Sequence, residues 1–260
     1  MAFQTLQYES RGPVGLLRLN RPDKLNAINS EMVDELWVLL KELRADRNLR
    51  VLVVTGNGRA FSAGADISRL VDMTDAARVM DFLESIQTLF NAIEDLDRPT
   101  VAAINGIAFG GGCELAVACD FRIMAEAAAI GLPEVKIGVL PGAGGTQRIT
   151  HLLPPAIAKQ LVYLGDPLSS SDALKYGLVN KVVAGAEVLD EALRWADKLA
   201  ALPPLALRSA KLLVHGAGHT DLKTGIEAER QAVAFLFGTE DRREGMRAFL
   251  ERRSAKFQGR

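Results

Sequence analysis

The chain has 260 residues, 48% hydrophobic and 24% charged, enough for one large domain or a domain with an appendage. A net charge of −1 gives no electrostatic support for nucleic-acid binding, and no apolar run approaches the ~18 residues of a membrane span. Cys113 and Cys119 lie in one apolar run and read as buried thiols in a reducing compartment. Met1–Thr5 lacks the basic start of a signal peptide, so a cytoplasmic location is expected.

A first strand is predicted near Phe3–Tyr8 and a second over Val14–Leu19. The loop Asn20–Ala27 follows, and Ser30 can cap a helix with Val33, Leu36, Leu40 and Leu43 on its apolar face. Arg50–Thr55 reads as a buried strand ended by Gly56-Asn57-Gly58. After the small-residue loop Phe61–Ile67, a long helix presents Val79, Phe82, Leu83, Ile86, Phe90 and Ile93. Pro99–Ile104 is a further buried strand turned by Asn105-Gly106. A glycine run, Gly110–Gly112, then opens a helix to about Ala118. Phe121–Met124 returns as a strand, Gly138–Gly145 is a second glycine-rich segment, and Leu178–Val183 is the last clear strand. Beyond residue 185 only helical patterns remain: Glu187–Ala201, Pro204–His215, Leu222–Phe237 and Arg242–Arg253. Strands alternating with helices, then helices alone, predict an α/β core with a helical C-terminal appendage.

Three glycine-containing turns follow apolar strands, where ligands collect in α/β proteins. Gly111 opens a helix, and its N–H is a candidate oxyanion donor. The same run reads equally as a tight turn against a packed helix. Glu114 lies in the apolar run Cys113–Ala118, where an unpaired carboxylate costs free energy. It and Glu134 are candidates for acid and base. Taken singly, Glu134 also reads as a surface loop residue, and Glu114 as the partner of a buried arginine.

Other chemistries fit poorly. Gly142–Thr146 lacks the lysine of a P-loop, and Gly110–Gly112 misses the G-x-G-x-x-G fingerprint. His215 and His219 have i, i+4 spacing, but Gly216 and Gly218 interrupt the helix and no third ligand is evident, so no metal site is expected. Ser62 is outside a G-x-S-x-G elbow. The charges of Asp241–Glu244 and Glu251–Arg253 read as a solvated helix face, or as a contact for a phosphorylated ligand.

These segments together resemble the enoyl-CoA hydratase/isomerase (crotonase) family. The resemblance rests on Asn20-Arg21-Pro22, Leu25-Asn26-Ala27, Phe61–Ile67, Ala103–Gly106, Gly110–Leu115, Ala118-Cys119-Asp120, Gly131–Glu134, Pro141–Arg148 and Glu240–Met246, and runs from about Tyr8 to the C-terminus. It implies a β-β-α superhelix of two stacked sheets over residues 1–200. It also implies a helical region over 201–260 that drives trimerisation, commonly into a dimer of trimers. The resemblance assigns the N–H groups of Ala65 and Gly111 to an oxyanion hole, Glu114 and Glu134 to catalysis, and Gly142 to orienting a water. Lys24, Leu25, Ala27, Ala63, Asp66 and Ile67 match coenzyme A-binding segments, and Lys256 corresponds weakly to a contact with a CoA phosphate on the next subunit. Ser68 departs from the lysine common in hydratases. No separate cofactor is implied, coenzyme A being part of the substrate. The expected reaction is hydration of a trans-2-enoyl-CoA. The rivals are a Δ3,Δ2-enoyl-CoA isomerase, which generally keeps only the carboxylate at Glu134, a hydratase of branched or aromatic acyl-CoA, and RNA binding, which the net charge disfavours.

Overall fold

The computed structural model describes residues 3–260, apart from the side chain of Arg69; Met1 and Ala2, the start of the segment read above for a leader, lie outside the described residues. The chain begins with a hairpin, β1 (Leu6–Arg11) and β2 (Val14–Leu19), and then α1 (Ser30–Ala45). Next come β3 (Val51–Gly56), β4 (Ala60–Ser62), a single helical turn α2 (Ile67–Leu70) and the long α3 (Ala76–Glu94). The pattern repeats as β5 (Thr100–Ile104), β6 (Ile107–Phe109) and α4 (Gly111–Val117). It repeats again as β7 (Phe121–Ala125), β8 (Ala129–Gly131), a 3-10 turn (Pro133–Ile137), α5 (Gly145–Leu152) and α6 (Pro155–Leu164). Then follow β9 (Leu168–Ser169), α7 (Ser170–Lys175), β10 (Lys181–Val183), α8 (Val188–Ala200), α9 (Pro204–Gly216), α10 (Leu222–Phe237) and α11 (Glu240–Leu250).

The longer strand of each repeat joins one sheet and the shorter strand joins the other. The six-stranded sheet has the order β1-β2-β3-β5-β7-β10, parallel apart from the β1–β2 hairpin. The four-stranded sheet has the order β4-β6-β8-β9, with β4, β6 and β8 parallel. Every residue of β3 and β5 is buried, which is why both are apolar but for Thr55 and Thr100 rather than alternating. Glycine makes the close approach of the second layer: a Cβ on Gly112 would stand 2.4 Å from the Ser62 carbonyl oxygen.

Several boundaries differ from expectation for identifiable reasons. The first strand starts at Leu6, because the N–H groups of Gln4 and Thr5 donate to Glu35 on α1 (2.6 and 2.9 Å) instead of joining the sheet. The α1 cap is Asn29, whose side chain accepts from Met32 N–H; Ser30 is already inside the helix. On α3, Ile86, Phe90 and Ile93 are buried but Val79, Phe82 and Leu83 are only half-buried. The last strand is confined to Lys181–Val183, since the N–H groups of Leu178 and Val179 close the turn after α7 onto the Ala173 carbonyl. Asp241 is not on a solvated face. It is buried and accepts from the backbone N–H groups of Gln258 and Gly259 (both 2.7 Å), fastening the C-terminal segment to α11.

Candidate active site

The parallel strands β4, β6 and β8 are neighbours, so their C-terminal ends lie side by side, roughly 5 Å apart per strand. The chain leaves β4 into Ala65, β6 into Gly111 and β8 into Glu134. Three successive turns of the spiral thus bring together residues distant in sequence, Ala65 and Gly111 being 46 positions apart.

Ala65 forms a lone parallel bridge with Ile28. That bridge uses the Gly64 carbonyl and the Asp66 N–H (2.8 and 2.9 Å), so the N–H of Ala65 faces the other way. Gly111 is the first residue of α4, where an N–H has no carbonyl one turn back. The two groups are close: a Cβ on Gly111 would lie 3.6 Å from Ala65 N. A Cβ on Gly110 would lie 3.1 Å from Glu134 Oε1.

The two carboxylates differ in their partners. Glu114 is 2% exposed, and its Oε1 accepts from the N–H groups of Ala143 (2.7 Å) and Gly145 (2.8 Å). Burial pushes its carboxyl up from the ordinary value, and the two backbone donors oppose that rise. Glu114 makes no ion pair among the described residues; buried Arg122 serves the carbonyls of Leu178, Ala116 and Cys119 instead. Glu134 sits on the 3-10 turn after β8, with β7 and β8 between it and Glu114. Its Oε2 is buried without a hydrogen-bond partner among the described residues. Burial, helped by the charge of Glu114, pushes its carboxyl up to about 7.

The segments holding Lys24, Leu25, Ala27 and Ala63, Asp66, Ile67 run alongside each other. Ala63 N–H donates to the Leu25 carbonyl (2.9 Å) and Ala27 N–H to that of Lys24 (3.0 Å). Leu25 and Asn26 take left-handed backbone with φ of 51° and 56°. Asn26 is fully buried: its Oδ1 accepts from Arg21 N–H, and its Nδ2 donates to the carbonyls of Asn57 and Ala60. Arg21 ties the two segments, donating to the Ala27 carbonyl and to Asp66 Oδ2 (2.5 and 2.9 Å). Ser68 donates to Asp66 Oδ1 (2.7 Å), and with Arg21 it holds the Asp66 carboxyl below its usual value. Lys24 and Ile67 are exposed. Lys256 is also exposed, on the segment packed against α11, where its backbone N–H donates to Glu244. The Gly142 carbonyl accepts from Gln87 Nε2 (2.6 Å).

Sequence reasoning missed Ala143 and Gly145, the donors that hold Glu114. Their signal was the run Gly142–Gly145, whose cradle of N–H groups serves a carboxylate of the same chain. His215 stands beside Asp120 (3.1 Å), and His219 packs edge-to-face on His151. The thiols of Cys113 and Cys119 are free and buried.

Backbone donors beside two carboxylates of unlike environment make a site for carbonyl chemistry that develops an oxyanion and moves a proton at a neighbouring atom. The chain is a member of the enoyl-CoA hydratase/isomerase family, whose profile matches residues 9–260. It is 39% identical over 258 residues to the "Crotonyl-CoA hydratase" of Syntrophomonas wolfei, covering 99% of each chain. It is 42% identical over 262 residues to a "Probable enoyl-CoA hydratase" of Rhizobium meliloti, covering all of both. The crystal structure of enoyl-CoA hydratase from Bacillus anthracis superposes with a TM-score of 0.95 at 39% identity, over 99% of this chain and 100% of that one. The two-sheet α/β core and C-terminal helices are therefore shared with solved enoyl-CoA hydratases.

Proposed function

We propose that this protein is an enoyl-CoA hydratase that adds water reversibly, in syn geometry, across the double bond of a trans-2-enoyl-CoA to give a 3-hydroxyacyl-CoA. The observation that carries this reading is the unlike pair of carboxylates: Glu114 held by two N–H groups, Glu134 with a free buried oxygen and a carboxyl raised to about 7.

In this reading the thioester carbonyl oxygen accepts from the N–H groups of Ala65 and Gly111. Polarisation draws electron density from the β-carbon. Glu114, ionised, takes a proton from water as the water oxygen bonds to the β-carbon. Glu134, protonated, gives its proton to the α-carbon as the enolate-like density collapses. The donors are aimed before the reaction, so no reorganisation is needed as charge develops; one such donor is worth about 3 kcal/mol of barrier. The peptide at Gly142 lies beside the donors to Glu114, which suits a role in orienting the water. Lys24, Leu25, Ala27, Ala63, Asp66 and Ile67 supply a surface for the coenzyme A portion, and Lys256 a contact with its phosphate. The active form is a homotrimer or a dimer of trimers built through residues 201–260. The two buried thiols fit a cytoplasmic enzyme, and no helix among the described residues is long and apolar enough to cross a membrane.

An isomerase would need one carboxylate shuttling a proton between carbons, and Glu134 alone would serve. It would leave Glu114 buried at a cost with no task.

Loss of absorbance at the enoyl-thioester band on adding crotonyl-CoA tests the reading, followed by longer-chain and branched enoyl-CoA substrates. Glu114→Gln and Glu134→Gln are each expected to lower kcat by orders of magnitude while acyl-CoA binding survives. Near-normal turnover by either variant sinks the assignment, and conversion of a 3-enoyl-CoA without hydration favours the isomerase.

A further inference from the structure

The loop Pro141–Gly145 is gripped from two sides. On its inner side, the N–H groups of Ala143 and Gly145 hold Glu114 Oε1. On its outer side stands α3. The peptide joining Gly142 to Ala143 has its carbonyl on Gln87 (2.6 Å) and its N–H on Glu114 (2.7 Å). One planar unit therefore links α3 to the carboxylate, and each hydrogen bond polarises the other. The next carbonyl, of Ala143, accepts from Arg148 Nη1 (3.1 Å). The Arg148 side chain is 11% exposed. Its remaining donors are engaged on α3 as well: Nε and Nη2 meet Glu94 Oε2 (2.8 and 2.6 Å), and Nη2 meets Asn91 Oδ1 (2.6 Å).

Gly144 completes the grip. Its φ is +101°, and a Cβ there would stand 2.1 Å from Arg148 Nη1. The guanidinium thus lies directly on the loop backbone. The Arg148–Glu94 ion pair is open to solvent on the Glu94 side, which is 33% exposed, so it is poor evidence of stabilisation. Its three planar contacts instead fix the orientation of the peptides that face Glu114, a task suited to a rigid fork.

We propose that Arg148, braced by Glu94 and Asn91 and seconded by Gln87, is a positioning residue that keeps the Ala143 and Gly145 N–H groups on Glu114 and so preserves this carboxylate as the base. The proposal rests on the hydratase reading, in which Glu114 takes the proton from water. The charged or titratable groups around Glu114 are few. Arg148 approaches from α5, Glu134 from the turn after β8, and Cys113 precedes it on α4 with a thiol that burial pushes well up. Arg122 on β7 is committed to carbonyls. Arg148 is the cation that favours an ionised Glu114, so its removal acts in one direction, raising that carboxyl.

The test compares wild type with Arg148→Met, Arg148→Lys, Glu94→Met, Gln87→Ala and the Arg148→Met/Glu94→Met pair. With crotonyl-CoA, Arg148→Met is expected to lower kcat about tenfold to a hundredfold, the effect of weakening hydrogen bonds to one charged group. KM stays within about threefold, because the loop is not part of the coenzyme A surface. The acidic limb of kcat/KM moves to higher pH. Arg148→Lys recovers only part, having charge without the fork. The double variant falls no further than Arg148→Met, since the two residues act as one unit. A second measurement does not depend on turnover: amide hydrogen exchange at Ala143 and Gly145 rises in Arg148→Met while that of β5 is unchanged. Gln87 is exposed, so Gln87→Ala folds in any case and gives a smaller change of the same sign. An unmoved acidic limb together with unchanged exchange at Ala143 and Gly145 overturns the proposal. A wild type that hydrates no enoyl-CoA overturns the hydratase reading instead, and the exchange measurement still decides the brace.

Discussion

Glu114 and Glu134 carry the same functional group and differ in what their oxygens touch. The proposed hydration needs the pair to hold one proton between them, and the geometry favours Glu134 for it: two N–H groups favour an ionised Glu114, while Glu134 Oε2 is buried without a partner among the described residues. As pH rises through about 7 that proton is lost, so kcat/KM for hydration should fall on the alkaline side with an apparent pKa near 7. Dehydration of the 3-hydroxyacyl-CoA should show the same limb, because the overall reaction takes up no net proton. Initial rates in both directions across pH 5–9 check this, and an alkaline limb that moves with direction refutes it. Stability responds to the same group. In the unfolded chain Glu134 ionises around 4.5, and in the folded protein at about 7. Between these values the folded state holds the extra proton, so stability falls as pH rises across the window and stays lower above it. The shift corresponds to roughly 3 kcal/mol at face value. Solvent screening at a half-buried residue reduces it to about 1–2 kcal/mol. Glu134→Gln should therefore unfold at higher temperature than wild type at pH 8, with the difference shrinking towards pH 5.

At the scale of elements, the site depends on a small sheet whose strands are two or three residues long. Such strands cannot hold a register unaided. Asn26 supplies what they lack: its amide joins the loop after β2 to the carbonyls of Asn57 and Ala60, at the turn between β3 and β4. Asn26→Ala removes these bonds, leaves buried groups unpaired and keeps a left-handed residue in place; about 3 kcal/mol should be lost. Asn26→Gly relieves the backbone alone and should recover less than half of that in urea unfolding. Both variants should raise KM for acyl-CoA more than they lower kcat, because the segments they loosen form the proposed coenzyme A surface. Equal unfolding free energies for wild type and Asn26→Ala would refute this account. The same sheet marks the limit of what the sequence could tell. Val14–Leu19, Arg50–Thr55 and Pro99–Ile104 are legible because each is a mostly apolar stretch of strand length bounded by turn or loop residues. Ala60-Phe61-Ser62, Ile107-Ala108-Phe109 and Ala129-Ile130-Gly131 are too short to display any period, and without them no second layer is visible. The layered spiral came from family resemblance alone. Glu114 was legible as an expensive carboxylate in an apolar run. Its donors were not, because a backbone N–H leaves no mark in the residue type beyond the smallness of Ala143 and Gly145.

At the scale of the whole molecule, the C-terminal helices are the part least buried against the core. Among the described residues α9 and α10 bury no side chain fully, and α11 buries only Asp241 and Ala248. They are fastened to the core at a few polar points. Lys211 and His215, one turn apart on α9, both reach Asp120 (2.8 and 3.1 Å), and Arg50 reaches the Phe257 carbonyl (2.6 Å). Burial would push Asp120 up, but these partners and the Thr100 N–H hold its carboxyl below the usual value. Meanwhile Leu212, Val214, Leu222, Phe249 and Leu250 stand in solvent, Phe249 being 82% exposed. A cleft of about 350 Å³ opens among Leu205, Val233, Leu236, Met246 and Phe257. Apolar exposure on this scale is unusual for a monomer and marks an interaction surface, which fits the proposed trimer. Each such side chain, fully buried, contributes about 1.5–3 kcal/mol. Sedimentation velocity at micromolar concentration should give the mass of three or six chains for the wild type. Phe249→Glu with Leu250→Glu should shift it to smaller species, each variant placing a charge where the proposed trimer is apolar. The core strands need no partner, so β3 and β5 should remain protected from hydrogen exchange in the dissociated variant. A monomeric wild type, or a double variant that assembles as before, would refute the proposed interface.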